Sequence, residues 1–345
     1  MNGLELSERK RKILRAVVEQ YVQSGVPVGS KSVCDHLDFP VSSATVRNEL
    51  SDLSEMGLLD QPHTSAGRVP SHRGYRLYVD QLMKPKALGT EERRIIDSLL
   101  LSSAYDPEKL LSGVSRALSA LTRCAAVSTT PGGGDAAIRA VQFVQTSRRT
   151  AMVVLITSAG TMKTRVFHCE FDITPEILRV FFRTINEKLV GRSLSEITPA
   201  FIQGLAASLG EMAILMSSAL MAVLDVARES MEADVCLSGE MNLMLTPEYE
   251  ISGVRRILDF LSRPEELTRL LLESPGTRVL IGRESRRPEL YGTAVVVSRY
   301  SIAGRDAGAI AVIGPVRMNY PRVLASVGYM ADSVGRMLTE LLNAE

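Results

Sequence analysis

The fold turns on ValSerSerAlaThrValArgAsnGluLeuSerAspLeu, residues 41–53. Val46, Leu50 and Leu53 fall at i, i+4 and i+7, which is one stripe of a helix that Ser42 or Ser43 can cap and Gly57 can close. Each residue advances the helix by roughly 100°, so the opposite face is fixed as well. Ala44, Asn48 and Ser51 lie about 140–200° from Val46, with Thr45, Arg47 and Asp52 on the flanks. Those residue types suit a major-groove reader: Asn can bond an adenine edge at two points, Arg a guanine edge, and Thr or Ala can touch a thymine methyl.

Working outward, Ile13, Leu14, Val17, Val18, Tyr21 and Val22 recur at helical spacing between Ser7 and Gly25. Gly25, Pro27 and Gly29 break that helix, and a short second one runs from Ser30 to His36 before Phe39-Pro40 stops it. After the third helix, the polar run from Gln61 to Ser71 reads as a hairpin whose tip carries His63, Thr64, Ser65 and Arg68. Gly67 lets the backbone approach a neighbour closely, and small donors beside a cation suit phosphate or the minor groove. Three short helices and a hairpin in about 75 residues form a winged helix-turn-helix. Ser30, Lys31, Ser42 and Ser43, at the starts of helices two and three, are candidate phosphate donors.

Charge adds a constraint. The 345 residues hold 40 Lys/Arg and 39 Asp/Glu, a net +1, and residues 1–86 hold 12 against 10. The total gives no support to a polyanionic partner, so any such contact must be local. Arg9, Lys10, Arg11, Lys12 and Arg15 cluster on the first helix, and Arg73 and Arg76 follow the hairpin. Glu49, Asp52, Glu55 and Asp60 gather at the far end of the third helix, so its first half is expected to face DNA and its tail to point away.

Further along, Lys84 to Gly89 reads as a linker, Glu91–Arg123 as helix-rich, and Ile138–Val144 and Ala151–Thr157 as strands. Glu176–Leu189, Pro199–Met231 and Ser252–Glu273 read as helices; Val279–Ile281, Gly292–Tyr300 and Ala309–Val312 read as strands, with a last helix from Tyr320. Strands on both sides of a helical block imply an α+β multidomain chain. The expected division is a winged helix at 1–83, a linker at 84–90, an α/β domain at 91–172 and 250–345, and an inserted helical module at 173–249. Within that module Met212, Leu215, Met216, Leu220 and Leu224 make a helix apolar on nearly all sides, either core or dimer interface. At 13 residues, Met212–Leu224 is too short for a membrane span, which needs about 20.

Other chemistries find little footing. Hydrophobic residues at 45% and charged residues at 23% describe a globular chain. Cys34, Cys124, Cys169 and Cys236 lie too far apart for a zinc motif and read as reduced thiols, and no apolar run follows the basic N-terminal segment, so a cytoplasmic protein is expected. GxSxG, GxxxxGK[ST] and HExxH are absent, three of the four histidines fall in the winged helix, and neither an enzyme nor a cofactor site is expected. Aromatics at 5% without tryptophan leave little surface for stacking single-stranded RNA bases.

ValProValGlySer (26–30), ValSerSerAlaThrValArgAsnGlu (41–49), GlnProHisThrSerAlaGlyArgValPro (61–70) and GlyTyrArgLeuTyrVal (74–79), with IleGlyProValArgMetAsnTyr (313–320), resemble the signatures of the HrcA family of bacterial heat-inducible transcription repressors. Val33-Cys34 and Ser54 depart mildly from the family pattern, outside the candidate contact face. The resemblance implies a GAF-like domain interrupted by a dimerising module, and a homodimer on an inverted-repeat operator of double-stranded DNA upstream of chaperone operons. It also implies support by the GroEL chaperonin. A regulator that senses a small molecule through the GAF-like domain is the alternative, though no polar cluster can be placed in a pocket from sequence.

Overall fold

A computed structural model describes residues 6–63, 66–102, 106–133, 136–273 and 275–343. The chain opens with α1 (Glu8–Ser24), α2 (Ser30–His36) and α3 (Ser43–Glu55), followed by β1 (Leu59–Asp60), β2 (Val69–Pro70) and α4 (His72–Leu77). Ser7 caps α1 by accepting from the Lys10 N–H, and Gly25 ends it in the left-handed region. Ser42, not Ser43, is the α3 cap; Val46, Leu50 and Leu53 are buried as their spacing requires. β1 and β2 pair antiparallel, and Val28 adds a third rung through mutual backbone bonds with Arg68 (2.9 and 2.8 Å).

The body begins with α5 (Thr90–Leu101) and α6 (Pro107–Thr122), then β3 (Ala125–Thr129), β4 (Ile138–Gln145), β5 (Thr150–Thr157) and β6 (Met162–His168). Next come α7 (Pro175–Leu189), α8 (Pro199–Leu209), α9 (Glu211–Leu215), α10 (Ser217–Met231) and β7 (Val235–Ser238). The chain closes with α11 (Met241–Met244), α12 (Ile251–Leu261), α13 (Pro264–Leu272), β8 (Thr277–Ile281), β9 (Thr293–Ile302), β10 (Arg305–Pro315) and α14 (Tyr320–Asn343).

These strands form two antiparallel sheets. Five make one sheet in the order β7-β3-β10-β9-β8, and three make the other in the order β4-β5-β6. Helices cover the five-stranded sheet on both faces. Ala126, Val296, Ile310 and Val312 join the core of α6, α14 and the winged helix, whereas Val127, Val295, Ala311 and Ile313 pack on α12 and α13 through Phe260 and Leu270.

The expected inserted module at 173–249 is revised at both ends. Strands β4 and β5 share no core with the other sheet; with β6 they pack on α7, α8 and α10 through Val141, Val153, Phe167, Phe181 and Leu220. The insertion thus carries its own sheet. Its two ends meet where β3 pairs with β7, Thr129 opposite Val235, and Asp234 N–H donates to Thr130 Oγ1 at 2.8 Å. Segment 235–238, placed by expectation inside the helical module, is instead the edge strand of the five-stranded sheet, because its partner is β3.

Two long helices read from periodicity are also interrupted. Pro199–Met231 breaks at Gly210, whose φ of 58° suits glycine, and again at Met216. Ser252–Glu273 breaks before Pro264, which starts a new helix because it has no N–H to continue the old one.

Candidate nucleic-acid interface

The first half of α3 is a polar, open surface. Ser42, Ser43, Ala44, Arg47 and Asn48 are exposed, while Thr45 and Ser51 are half-buried. Ser42 accepts from Thr45 N–H at 3.1 Å, and the two hydroxyls lie 2.8 Å apart. Ser30 and Ser43 hydroxyls lie 2.9 Å apart, so the starts of α2 and α3 meet beside the exposed Lys31. Helix starts present unpaired N–H groups and a partial positive charge, which suits phosphate.

The acidic end of α3 is held by α1. Lys10 reaches both Glu49 and Asp52 at 2.7 Å, and Arg9 lies 3.7 Å from Glu49. Hydrogen bonding to Asp52, then to Glu49, raises the Lys10 pKa and secures its charge. Lys12 pairs with Asp38 at 3.0 Å and Arg15 with Glu19 at 2.8 Å. Four of the five basic residues clustered on the first helix are thus paired with carboxylates of the domain, and Arg11 donates to the Gln81 carbonyl at 3.4 Å. Among the described residues, Lys31 and Arg47 have no carboxylate within 4.0 Å.

At the hairpin, His63 is exposed and Arg68 half-buried; Thr64 and Ser65 lie outside the described residues. Gly67 does approach a backbone closely, but that backbone is Val28: a β-carbon on Gly67 would stand 2.5 Å from the Val28 carbonyl. The glycine closes the small sheet rather than admitting a ligand. Arg76 is likewise turned away from the wing. It donates to the Val279 carbonyl at 2.8 Å and to Glu284 at 3.0 Å, both in the body. Asp80, four residues on, also accepts from Arg76 at 2.6 and 3.0 Å, but the two partners in the body, Val279 and Glu284, lie 203 and 208 positions away and left no local signal.

The apolar segment 212–224 resolves unevenly. Met216, Leu220 and Leu224 are buried in the core of their own chain, which removes them from any contact with a partner; Met212 is half-buried and Leu215 is exposed. Among the described residues no helix is long and apolar enough to cross a membrane, and no cluster of three metal-ligating side chains occurs.

Comparison with known proteins agrees with this geometry. Residues 5–82 match the winged helix-turn-helix transcription repressor, HrcA DNA-binding family, and residues 108–324 match the HrcA protein C-terminal domain. The chain is 36% identical to the heat-inducible transcription repressor HrcA of Desulforudis audaxviator, covering 97% of this chain and 99% of that one. It is 35% identical to that of Moorella thermoacetica, covering 98% and 99% respectively. A solved structure, "Crystal structure of a hypothetical protein at 2.2 A resolution", superposes with a TM-score of 0.68 at 24% identity over 98% of this chain and all of that one, and shares its fold. With a winged helix whose reading face is open and both family models matched along it, the chain belongs to the HrcA family of heat-inducible, DNA-binding transcription repressors.

Proposed function

We propose that this chain represses chaperone operons as a homodimer, each protomer laying the first half of α3 in the major groove at one half of an inverted repeat. The observation that carries the reading is the division of charge along α3. Arg47 and Asn48 stand exposed with no carboxylate beside them, while Glu49 and Asp52 are held back by Lys10. In this reading Arg47 and Asn48 read bases, Ala44, Thr45 and Ser51 line the groove, and Ser30, Lys31, Ser42 and Ser43 hold phosphate. His63, Thr64, Ser65 and Arg68 approach the flanking backbone.

The dimer reading is supported by the outer face of the three-stranded sheet. Ala140, Val144, Met152, Val154, Ile156, Met162 and Val166 share it with Gln142 and Thr164, Thr150 and His168 stand at one end, no Lys, Arg, Asp or Glu falls among them, and α7 and α10 pack on the other face. An uncharged apolar sheet face of this kind suits a second protomer. Leu215, exposed on α9, is a further candidate contact. The five-stranded sheet with helices on both faces is compatible with a GAF-like domain. Warming would release the operator by depopulating the DNA-competent form, since ~1–2 kcal/mol lost from a marginal dimer changes that population several-fold, and the GroEL chaperonin would restore it. No catalysis is assigned.

A second reading, a regulator that responds to a small molecule, is favoured by one cleft. It has about 720 Å³ between α1 and the body, and Arg123, Asn242, Glu248, Arg317 and Arg322 are among its lining residues. A footprint of the purified chain upstream of chaperone genes tests the first reading, with symmetric protection expected. Asn48→Ala should then weaken that operator by ~1–3 kcal/mol. Affinity that ignores temperature but follows an added metabolite would favour the second.

A further inference from the structure

The stretch 313–320, which carried the resemblance near the C-terminus, lies far from the DNA-reading face, and its role is not explained by that face. It meets the stretch 74–79, which carried the resemblance near the N-terminus. Arg317 donates to the Val22 carbonyl at 3.3 Å, in the last turn of α1, a turn with no basic residue of its own. Its guanidinium packs over Gly25, 3.4 Å from where a β-carbon would stand, and Glu248 pairs with it from behind. Arg76 makes the reverse contact. It holds the Val279 carbonyl on the edge strand β8 and the Glu284 carboxylate, which in turn accepts the Ile281 N–H at 2.9 Å. Between the two arginines, Tyr75 and Tyr320 bury their rings 6.0 Å apart.

We propose that Arg317 and Arg76 are positioning residues: they seat the winged helix at one fixed angle on the body and so determine which half-site spacing the dimer accepts. This rests on the dimer and inverted-repeat reading above. Each unit offers a guanidinium to a backbone carbonyl of the other, and Asp80, accepting from Arg76 Nε at 3.0 Å and Nη2 at 2.6 Å, fixes the plane from which Nη1 reaches Val279 and Glu284. The seat leaves Ser43, Ala44, Arg47 and Asn48 exposed, so it constrains where α3 points without covering what α3 reads. Spacing is a demanding readout of that angle. One inserted base pair turns the second half-site by about 34° and moves it ~3.4 Å, at 10–10.5 base pairs per turn. The apolar core shared with α6 and α14 holds the winged helix on the body, and bonds of 2.8 and 3.3 Å that fix its direction cannot follow such a shift, whereas a winged helix freed of them can turn on that core.

The test uses the full chain and the operator found by footprinting. Fluorescence anisotropy would measure binding to a single half-site and to repeats with the centre shortened or lengthened by one base pair. The wild-type chain should lose about tenfold or more in affinity on either change, because the second half-site no longer adds to the first. Arg317→Ala and Arg76→Ala should reduce that loss to about threefold or less while holding a single half-site as the wild type does. Arg76→Lys, which keeps the cation but loses the fork, and Glu248→Gln should give intermediate losses even if the alanine variants fold poorly. Variants that keep the full spacing preference overturn the proposal, and so does a fall in single half-site affinity. A wild-type chain indifferent to spacing overturns the inverted-repeat reading and the seat's role together, an outcome visible before any variant is made.

Discussion

The five-stranded and three-stranded sheets solve the same problem to different degrees. In the first, β3 is buried along its whole length and β10 along nearly all of it, with opposite faces feeding two separate cores. In the second, β5 alternates buried and half-buried residues, and only one face meets helices. A sheet covered twice is complete within one chain. A sheet covered once keeps an apolar outer face open, and it is this face that the proposed dimer would cover.

Neighbouring residues on β5 can break that contrast. Ala151 is fully buried beside Phe167, so Ala151→Asp should place an unpaired carboxylate in a dry core and prevent stable folding, seen as loss of a cooperative urea transition. Phe260→Ala, in the core behind the five-stranded sheet, should cost ~3–5 kcal/mol in the same assay. Met152→Asp, one position along and on the open face, should leave the subunit's own unfolding within ~0.5 kcal/mol while shifting sedimentation from dimer to monomer. A dimer that survives Met152→Asp would show the open face to be covered by something else.

The smallest effect concerns the helices over the five-stranded sheet. Glu92 on α5 accepts the Gly89 N–H, which is the main reason its pKa lies below the ordinary 4.5; burial opposes this slightly, and Arg322 on α14 adds to it. A carboxylate with a lowered folded pKa contributes stability above its unfolded value and loses it as pH falls through the folded one. The deficit of Glu92→Gln should therefore be full near neutrality and shrink below about pH 4.5, measured as urea midpoints across that range.

The sequence made the winged helix legible because its signals are local: caps at Ser7 and Ser42, a stripe at Val46, Leu50 and Leu53, and a polar hairpin all act within a few residues. The strands of the body were partly legible from their apolar runs. What stayed hidden depends on distance along the chain. That β3 would pair with β7 across the whole insertion, or that Lys10 would neutralise the acids of α3, is decided by partners far away in sequence. Arg76 and Arg68 show the same limit within the candidate site. One turned to the body and the other was half-buried, although both read as cations near a wing tip.

The seat between the two arginine stretches also has a consequence in time. A ribosome adds about 5–20 residues per second, so the winged helix emerges roughly 10–50 s before residues 313–320 that will hold it. During that interval the module that carries the reading helix exists without Arg317 over Gly25 and without β8 under Arg76. Under the proposed seat, a nascent chain would present α3 before it could aim it, and commitment to the operator would wait on a stretch near the C-terminal end.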